Sequence, residues 1–132
     1  MEIACGIDII EIDRIKNAID ENGEHFLKKV FTDKEIEYCE KHSAAKYQHY
    51  AGRFAAKEAL VKSLGVGIAN GIFWNEVEIL NDEYGKPFTK LYGQAKSEAE
   101  KKNIGQFSLS ISHCHEYAVA NVVAISSMHS EP

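Results

Sequence analysis

The first ten residues contain an almost unbroken run of apolar side chains. They are Ile3, Ala4, Ile7, Ile9 and Ile10. A run of this kind predicts a short, largely buried β-strand over residues 2–10. Asp8 stands inside that strand, and a carboxylate in apolar surroundings needs a cation or a set of hydrogen-bond donors nearby.

Helical spacing replaces this pattern in the next part of the chain. Apolar residues recur every three to four positions over residues 12–29, with a predicted break at Gly23. Thr32 followed by Glu35 is a capping-box pattern, which predicts the start of a short helix that ends near His42. A helix start alone would explain both of these polar residues.

A long helix is predicted next, from about Ser43 to Leu64. Gly65 is expected to stop this helix, and Gly52 is expected to be a weak point within it. The glycines that follow, up to Gly71, predict a flexible connection to the second half of the chain.

The second half of the chain predicts two hairpins with a helix between them. Residues 74–80 and 88–91 are expected to pair around a long turn, and residues 93–103 to form a polar amphipathic helix. Residues 107–125 contain two apolar strands around a turn, the first alternating with serines, which predicts the second hairpin. Residues 126–132 are expected to be a frayed tail.

Together these elements predict an α+β fold, with a mainly antiparallel sheet packed against helices, one of them long. No internal repeat or low-complexity tract interrupts residues 1–125, so we expect a single domain there. The chain has 132 residues, which is enough to bury a sizeable core.

The composition is that of an ordinary globular protein, with 45% hydrophobic and 27% charged residues. A net charge of -5 disfavours general nucleic-acid binding, and no apolar run is long enough to span a membrane. The N-terminus lacks a secretory-signal pattern, and three widely spaced cysteines fit a reducing compartment. We therefore expect a cytoplasmic protein.

The charges of the long helix are unusual because they are not gathered on one face. At about 100° per residue, Glu58 and Lys62 lie near each other, whereas Arg53 falls inside the apolar arc. A Glu and a Lys one turn apart often form a solvated surface pair. Here the remaining positions are apolar or small, so we expect the charges to point into a site.

Single features of the chain also have ordinary structural explanations. A strand carboxylate such as Asp8 is often paired with an arginine or caps a backbone group. His113 continues an apolar face and could be a hydrogen-bonded core residue. The segment Gly85-Lys86-Pro87 could be turn chemistry with a solvated lysine. Only the joint occurrence of these features indicates a site.

Asp8 and Glu58 together form a hard oxygen donor set without histidine or cysteine. Such a set suits Mg²⁺, whose coordination is usually completed by waters and substrate phosphates. Basic residues beside it would neutralise the rest of a phosphate group. The set predicts phosphoryl or phosphodiester chemistry. The chain has no GxxxxGKS/T or GxGxxG motif, which disfavours a P-loop enzyme, a kinase or a dinucleotide fold.

Five ordered segments carry a resemblance to a known family. They are Gly6-Ile7-Asp8-Ile9, Phe31-Thr32-Asp33-Lys34-Glu35, the segment from Arg53 to Lys62, Gly85-Lys86-Pro87 and Ser110-Ile111-Ser112-His113. Over nearly its whole length the chain resembles the holo-[acyl-carrier-protein] synthases, which are small bacterial 4'-phosphopantetheinyl transferases. The resemblance implies the fold of that family and a role in fatty acid biosynthesis.

The resemblance also implies a reaction. Asp8 and Glu58 would bind Mg²⁺ together with the diphosphate of coenzyme A. A serine of apo acyl carrier protein would attack the β-phosphate in line, and adenosine 3',5'-bisphosphate would leave. For the serine proton, Glu58 acting through a metal-bound water is the first candidate, and Lys62 in its neutral form is the second.

Further binding positions and an assembly are implied in the same way. Arg53, Lys62 and His113, with Ser112 beside the histidine, match positions that bind coenzyme A phosphates. The segment Gly85-Lys86-Pro87 matches a loop on the nucleotide side. The family is trimeric with active sites between subunits, so we expect a homotrimer in which two chains meet around each coenzyme A.

The first helix is expected to dock the carrier protein through Arg14. Members of the family offer basic residues there, whereas in this chain Arg14 and Lys16 stand among acidic residues. These are Asp13, Asp20, Glu21 and Glu24. This departure concerns the footprint of the carrier protein and not the chemistry.

Two other functions remain open from the sequence. One is a binding module for coenzyme A or a nucleotide that has kept the pocket without turnover. The other is a metal-dependent phosphodiester hydrolase, in which water replaces serine as the nucleophile.

Overall fold

The computed structural model describes residues 1–66 and 71–127. Its strands are β1 (Glu2–Glu11), β2 (Val77–Asn81), β3 (Pro87–Leu91), β4 (Ile104–His113) and β5 (Tyr117–Ser126). Its helices are α1 (Ile12–Asn22), α2 (Glu24–Val30), α3 (Asp33–Glu40), α4 (Lys46–Ser63) and α5 (Gly93–Lys101). The order and type of these elements confirm the predicted α+β fold with one long helix.

Two antiparallel sheets organise the strands. β5 is the central strand of a three-stranded sheet, with β1 and β4 on either side of it, and β2 and β3 form a separate hairpin. The long helix α4 packs on the larger sheet, mainly against β1 and β5. The functional side chains of α4 therefore emerge at the two edges of this helix–sheet contact.

Gly6 brings the backbones of β1 and α4 into direct contact. A Cβ atom at this position would lie 1.9 Å from the carbonyl oxygen of Ala59 and 2.9 Å from the backbone nitrogen of Ser63. No side chain fits such a gap, because van der Waals contact between heavy atoms begins near 3.5 Å. The close approach fixes how Asp8, two residues further along β1, faces the helix.

Most of the circumference of α4 is buried, as expected for a helix without a wide solvated face. Gly65 follows the helix with a φ angle of 77° and ends it as predicted. The helix continues through Gly52 without a break. A Cβ atom there would lie 2.8 Å from Cγ2 of Ile111, so this glycine allows close packing of α4 against β4.

The prediction that β1 is largely buried is wrong for the single chain. Ile3, Ile7 and Ile9 are 63%, 61% and 64% exposed, whereas Gly6 and Ile10 are buried. Successive side chains of a strand point to opposite faces, and α4 covers one face of β1. The described residues leave the outer apolar face of this strand uncovered.

The chain end is ordered slightly further than predicted. Ser126 belongs to β5, and the N–H of Ser127 donates a hydrogen bond of 3.0 Å to the carbonyl oxygen of Asn103. Residues 128–132 of the predicted tail and residues 67–70 of the predicted flexible connection lie outside the described residues. The single domain over residues 1–125 stays a prediction.

The three cysteines are free: Cys5 and Cys114 are exposed, and Cys39 is buried. Burial raises the pKa of the Cys39 thiol to about 12. In the two described stretches, no helix combines the length and the apolar character that crossing a membrane requires.

Candidate active site

β1 and α4 place Asp8 and Lys62 side by side. The Nζ of Lys62 lies 3.0 Å from Oδ1 of Asp8 and also donates a hydrogen bond of 3.1 Å to the carbonyl oxygen of Ile7. The side chain of Asp8 is only 15% exposed, whereas that of Lys62 is 54% exposed. The strand carboxylate thus has a lysine partner at the edge of the helix–sheet contact.

Glu58 precedes Lys62 by one helical turn and lies within electrostatic reach of Asp8. Burial raises the pKa of the Glu58 carboxyl, and the charge of Asp8 raises it further, while the positive charges of Lys62 and Arg14 lower it. Two carboxylates that repel each other in a half-buried position form a donor set that a divalent cation stabilises. The residues present therefore fit Mg²⁺.

The two carboxylates do not complete a metal site by themselves. Among the described residues, no group of three or more His, Cys, Asp and Glu side chains could hold a metal ion. Mg²⁺ commonly takes one or two protein carboxylates and fills its other positions with waters and substrate phosphates. The arrangement suits an ion that is bound together with a phosphate-bearing ligand.

Arg14 extends this group onto the first helix. It is exposed on α1, and its positive charge acts on Glu58. The other basic residue of α1, Lys16, forms an ion pair of 3.0 Å with Asp20. Within residues 1–66 and 71–127, Arg14 forms no ion pair, so it is the basic residue of α1 that is available to an acidic partner.

A second group of predicted site residues surrounds a cavity of about 190 Å³ on another side of α4. Its walls come from α3, α4, the β2–β3 hairpin and β4. The lining residues are Tyr38, His49, Arg53, Asn81, Gly85, Pro87, Ile111 and His113. The fold therefore brings Arg53, Gly85, Pro87 and His113 together around one cavity.

Arg53 is the buried cation of this second cavity. Its residue is 3% exposed, and its guanidinium carbon lies 4.0 Å from the centre of the Tyr38 ring. Nη2 donates a hydrogen bond to Oδ1 of Asn81, and the buried Nε atom has no hydrogen-bond partner. In the described part of the chain Arg53 forms no ion pair with a carboxylate. A buried guanidinium in this state favours an anionic ligand.

Two histidines, His49 and His113, line the second cavity, and a third, His42, lies behind His49. The rings of His42 and His49 stack at a centroid distance of 3.8 Å, and the ring of His49 meets that of His113 edge-on at 5.9 Å. Burial lowers the pKa of His49 to about 4, helped by the neighbouring charges of His42, Arg53 and His113. His49 is therefore neutral near pH 7.

Besides Lys62, two predicted coenzyme A residues, Lys86 and Ser112, lie outside the wall of the second cavity. Lys86 is exposed at the tip of the β2–β3 hairpin, where its N–H donates a hydrogen bond of 2.9 Å to Oδ1 of Asp82. Ser112 points to the outer side of the sheet and lines an apolar cavity with Ile9 and Tyr117. The structure does not bring these two residues together with Arg53.

The first and second groups lie on opposite sides of α4. At about 100° and 1.5 Å per residue, Lys62 is half a turn around from Arg53 and about 13.5 Å further along the axis. Lys62 contacts Asp8, whereas Arg53 contacts Asn81 on the other sheet. A single chain thus presents two separate half-sites, one with carboxylates and one with a buried cation.

Asn81, His49 and Tyr38, which all line the second cavity, were not predicted as site residues from the sequence. The sequence also predicted that the charges of α4 point into a site, and Lys57 does not. The Nζ of Lys57 is 2.8 Å from Oε1 of Glu35 and is fully buried in the core. Glu35 does more than start α3, because its Oε2 accepts a hydrogen bond of 2.7 Å from the N–H of Ile79.

Comparison with known proteins identifies the class to which this fold and site belong. A family model described as the 4'-phosphopantetheinyl transferase superfamily matches residues 4–122. The chain therefore belongs to the 4'-phosphopantetheinyl transferase superfamily. A holo-[acyl-carrier-protein] synthase of Ruminiclostridium cellulolyticum is 52% identical over 123 residues, covering 93% of this chain and 92% of the relative. Within the superfamily, the chain groups with the holo-[acyl-carrier-protein] synthases.

Solved structures agree with this assignment. The Helicobacter pylori holo-[acyl-carrier-protein] synthase in complex with coenzyme A has a TM-score of 0.81 and 33% identity, covering 92% of this chain and 99% of that one. The Bacillus anthracis enzyme in complex with CoA (3',5'-ADP) has a TM-score of 0.77 and 35% identity, covering 94% of this chain and 96% of that one. The predicted family and fold are confirmed.

Proposed function

We propose that this protein transfers the 4'-phosphopantetheine group of coenzyme A to a serine of apo acyl carrier protein. The proposal rests on the two half-sites that lie on opposite sides of α4, in a chain that belongs to this family. One half-site offers two neighbouring carboxylates for a cation, and the other offers a buried arginine that forms no ion pair with a carboxylate of residues 1–66 or 71–127. A ligand with a diphosphate and a further phosphate matches this division of charge.

The protein residues bind and orient the ligand in this reaction. The serine oxygen of the carrier forms a bond to the β-phosphorus of coenzyme A, and the bond from that phosphorus to the oxygen of adenosine 3',5'-bisphosphate breaks. Such transfers depend on charge neutralisation and in-line positioning more than on covalent help. Lys62 stabilises the diphosphate from the carboxylate side, and Arg53 and His113 bind phosphate from the cavity side.

Asp8 and Glu58 are the residues that hold Mg²⁺ in this proposal. When bound, the ion supplies positive charge beside the diphosphate. The mutual repulsion of the two carboxylates and the partial burial of Glu58 support this role, because a cation relieves both.

Glu58 is the better of the two candidates for accepting the serine proton, through a water molecule. Its carboxylate oxygens can accept a hydrogen bond from a water molecule that takes up the serine proton. Lys62 donates to both Asp8 and the Ile7 carbonyl. The Nζ of Lys62 is therefore already engaged as a donor, which disfavours this residue as the base.

The protein acts as a homotrimer with active sites at subunit interfaces. The outer face of β1 supports this assembly, because the exposed isoleucines Ile3, Ile7 and Ile9 form an apolar strip that the described residues do not cover. Exposed apolar patches of this kind mark protein–protein contacts. Two chains that meet there would also explain why each chain carries only separate half-sites.

The proposal extends to the cellular role. The enzyme supplies holo carrier protein for fatty acid biosynthesis and works in the cytoplasm. Free cysteines, two of them exposed, support a reducing compartment.

One experiment tests the proposal against both alternatives. The protein is incubated with Mg²⁺, coenzyme A and apo acyl carrier protein, and the intact carrier is weighed by mass spectrometry. A gain of one phosphopantetheine on the serine is expected. Coenzyme A breakdown without modification of the carrier would instead support a hydrolase, and binding without either product would support a binding module.

Two matched variants show whether the carboxylates act as proposed. Glu58→Gln is expected to lose transfer at any Mg²⁺ concentration and to keep its fold. Glu11→Gln, which removes an exposed carboxylate at the end of β1, is expected to keep wild-type transfer. If Glu58→Gln were fully active, the metal-ligand role of this residue would be wrong.

A further inference from the structure

The last residue of β2, Asn81, joins the two elements that form the second cavity. Its Oδ1 atom accepts a hydrogen bond from Nη2 of Arg53 on α4. Its Nδ2 atom donates a hydrogen bond of 2.9 Å to the carbonyl oxygen of Gly85 in the hairpin turn. One side chain therefore links the buried cation to the loop on the opposite wall.

The chemistry of the two partners fixes the orientation of the Asn81 amide. A guanidinium has only donors and a backbone carbonyl has only an acceptor. The amide oxygen must therefore face Arg53, and the amide nitrogen must face Gly85. If the amide were flipped, its nitrogen would face the donors of Arg53 and its oxygen would face the Gly85 carbonyl, so neither hydrogen bond would form.

Arg53 is held on a second side by an aromatic ring. Its guanidinium carbon lies 4.0 Å from the centroid of Tyr38, a distance at which the ring face attracts the cation. Tyr38 and Asn81 thus leave the guanidinium little freedom, and neither neutralises its charge. A carboxylate in place of Asn81 would hold the arginine equally well but would cancel the charge that a phosphate needs.

We propose that Asn81 is a positioning residue for coenzyme A binding, because it locks the Arg53 guanidinium to the Gly85 carbonyl without neutralising it. This inference rests on the proposed function. The part of the ligand concerned is the phosphate-bearing nucleotide end, since Arg53, Gly85 and His113 line one cavity. Asn81 acts through Arg53 and the turn and takes no part in the bond changes.

The locked geometry gives a specific kinetic expectation for Asn81→Ala. The Arg53 guanidinium loses its hydrogen bond to Asn81 and keeps only the contact with Tyr38, and the turn loses its hydrogen bond at Gly85. The ligand must then order the guanidinium and the turn when it binds. We expect KM for coenzyme A and Kd for 3',5'-ADP to rise about tenfold, a size typical of losing one charged hydrogen bond. The value of kcat and KM for the carrier protein should change less than about twofold.

Asn81→Asp distinguishes two roles of Asn81. One is to hold the Arg53 guanidinium without neutralising its charge, and the other is only to support the fold. The carboxylate keeps an acceptor for Arg53, but it repels phosphate and cannot donate to the Gly85 carbonyl. We expect coenzyme A binding to weaken more than in Asn81→Ala. The urea concentration at the midpoint of unfolding should be equal to that of Asn81→Ala or higher. If Asn81 only supported the fold, Asn81→Ala, as the less stable variant, would instead bind coenzyme A more weakly than Asn81→Asp.

Thr89→Ala is the matched control within the same hairpin. It removes the hydrogen bond of 2.9 Å from Thr89 Oγ1 to the carbonyl oxygen of Glu78, away from Arg53. This variant should lower stability and leave KM for coenzyme A unchanged.

The assay is steady-state transfer with calorimetric titration of 3',5'-ADP, on the wild type and the three variants. If the wild type neither transfers nor binds, the proposed function itself fails. If the wild type does both and Asn81→Ala and Asn81→Asp keep its KM and Kd within about twofold, the positioning role of Asn81 is overturned and the function stands.

Discussion

Lys57 and Glu35 form a fully buried ion pair, with 2.8 Å between Nζ and Oε1 and no exposure of either side chain. Burial lowers the pKa of the lysine, and the charge of Glu35 opposes that shift. Lys57 also donates hydrogen bonds to the carbonyl oxygens of Trp74 and Val77, the second of which begins β2. The pair thus joins α3, α4 and the hairpin that carries Asn81.

Removal of one partner of this pair should be costly. Glu35→Ala removes the ion-pair partner of a buried ammonium and leaves only the weaker influence of the Glu78 carboxylate. We expect the free energy of unfolding to fall by about 3–5 kcal/mol in a urea titration. Glu37→Ala removes an exposed carboxylate from the same helix and should change it by less than about 0.5 kcal/mol. Equal effects of the two substitutions would mean that the ion pair does not stabilise the fold.

Gly6→Ala should prevent close packing of β1 on α4. The added methyl group would meet the Ala59 carbonyl oxygen at 1.9 Å, and this neighbour is backbone that cannot rotate away. We expect a loss of at least about 3 kcal/mol of stability, or failure to fold. Gly105→Ala is the control, because a Cβ atom there meets nothing within 4 Å. A stable, well-folded Gly6→Ala would contradict the described contact.

The local patterns of the sequence were sufficient for the order of the elements. They did not identify Lys62 as the partner of Asp8, because the two residues are 54 positions apart in the chain. They could not show that the apolar residues Ile3, Ile7 and Ile9 lack a cover in their own chain, because periodicity does not identify what covers a face. Glu35 was explained as part of a capping box, and this local explanation hid its long-range contact with Lys57.

Asn81 could not be identified from the sequence for a similar reason. In the sequence Asn81 is an ordinary residue at the start of a predicted turn. The role that we propose for it depends on a contact with Arg53, which lies 28 positions earlier. His49 lies on a helix whose pattern does not reveal that its ring stacks on His42 and meets His113. Roles that arise from long-range contacts need the fold before they can be assigned.

His49 should make the protein less stable in mild acid. Its pKa is lowered from 6.5 to about 4, so the unfolded chain takes up a proton that the folded chain does not. The free energy of unfolding is therefore not reduced by this titration above pH 6.5, and it falls as the pH drops toward 4. Because the ring is partly exposed, we expect a contribution of about 1 kcal/mol at pH 5.

His49→Phe keeps an aromatic ring in the stack and removes the titration. The difference in unfolding free energy between pH 7 and pH 5 should therefore be smaller in this variant than in the wild type. Urea titrations at both pH values measure it. The same pH dependence in both proteins would exclude His49 as its source.

Arg14→Glu should weaken use of the carrier protein more than use of coenzyme A. The exposed arginine lies on α1 beside the carboxylate half-site and forms no ion pair among the described residues. We expect KM for the carrier to rise about tenfold, with KM for coenzyme A within about twofold of wild type.

Lys16→Glu is the matched control for Arg14→Glu, because Lys16 is already paired with Asp20. Its effect on KM for the carrier should be smaller. Equal losses for carrier and coenzyme A in Arg14→Glu would contradict the docking role of Arg14.

We expect the carboxylate half-site of one chain and the arginine half-site of another to act on one coenzyme A. Co-expression of Glu58→Gln and Arg53→Met, each carrying a different affinity tag, tests it most directly by the transfer rate of mixed trimers. Each variant alone is expected to be nearly inactive. In each mixed trimer, which holds both variants, one of the three interfaces pairs two intact half-sites, so about a third of wild-type activity should return. A mixed trimer no more active than its parents would contradict this expectation.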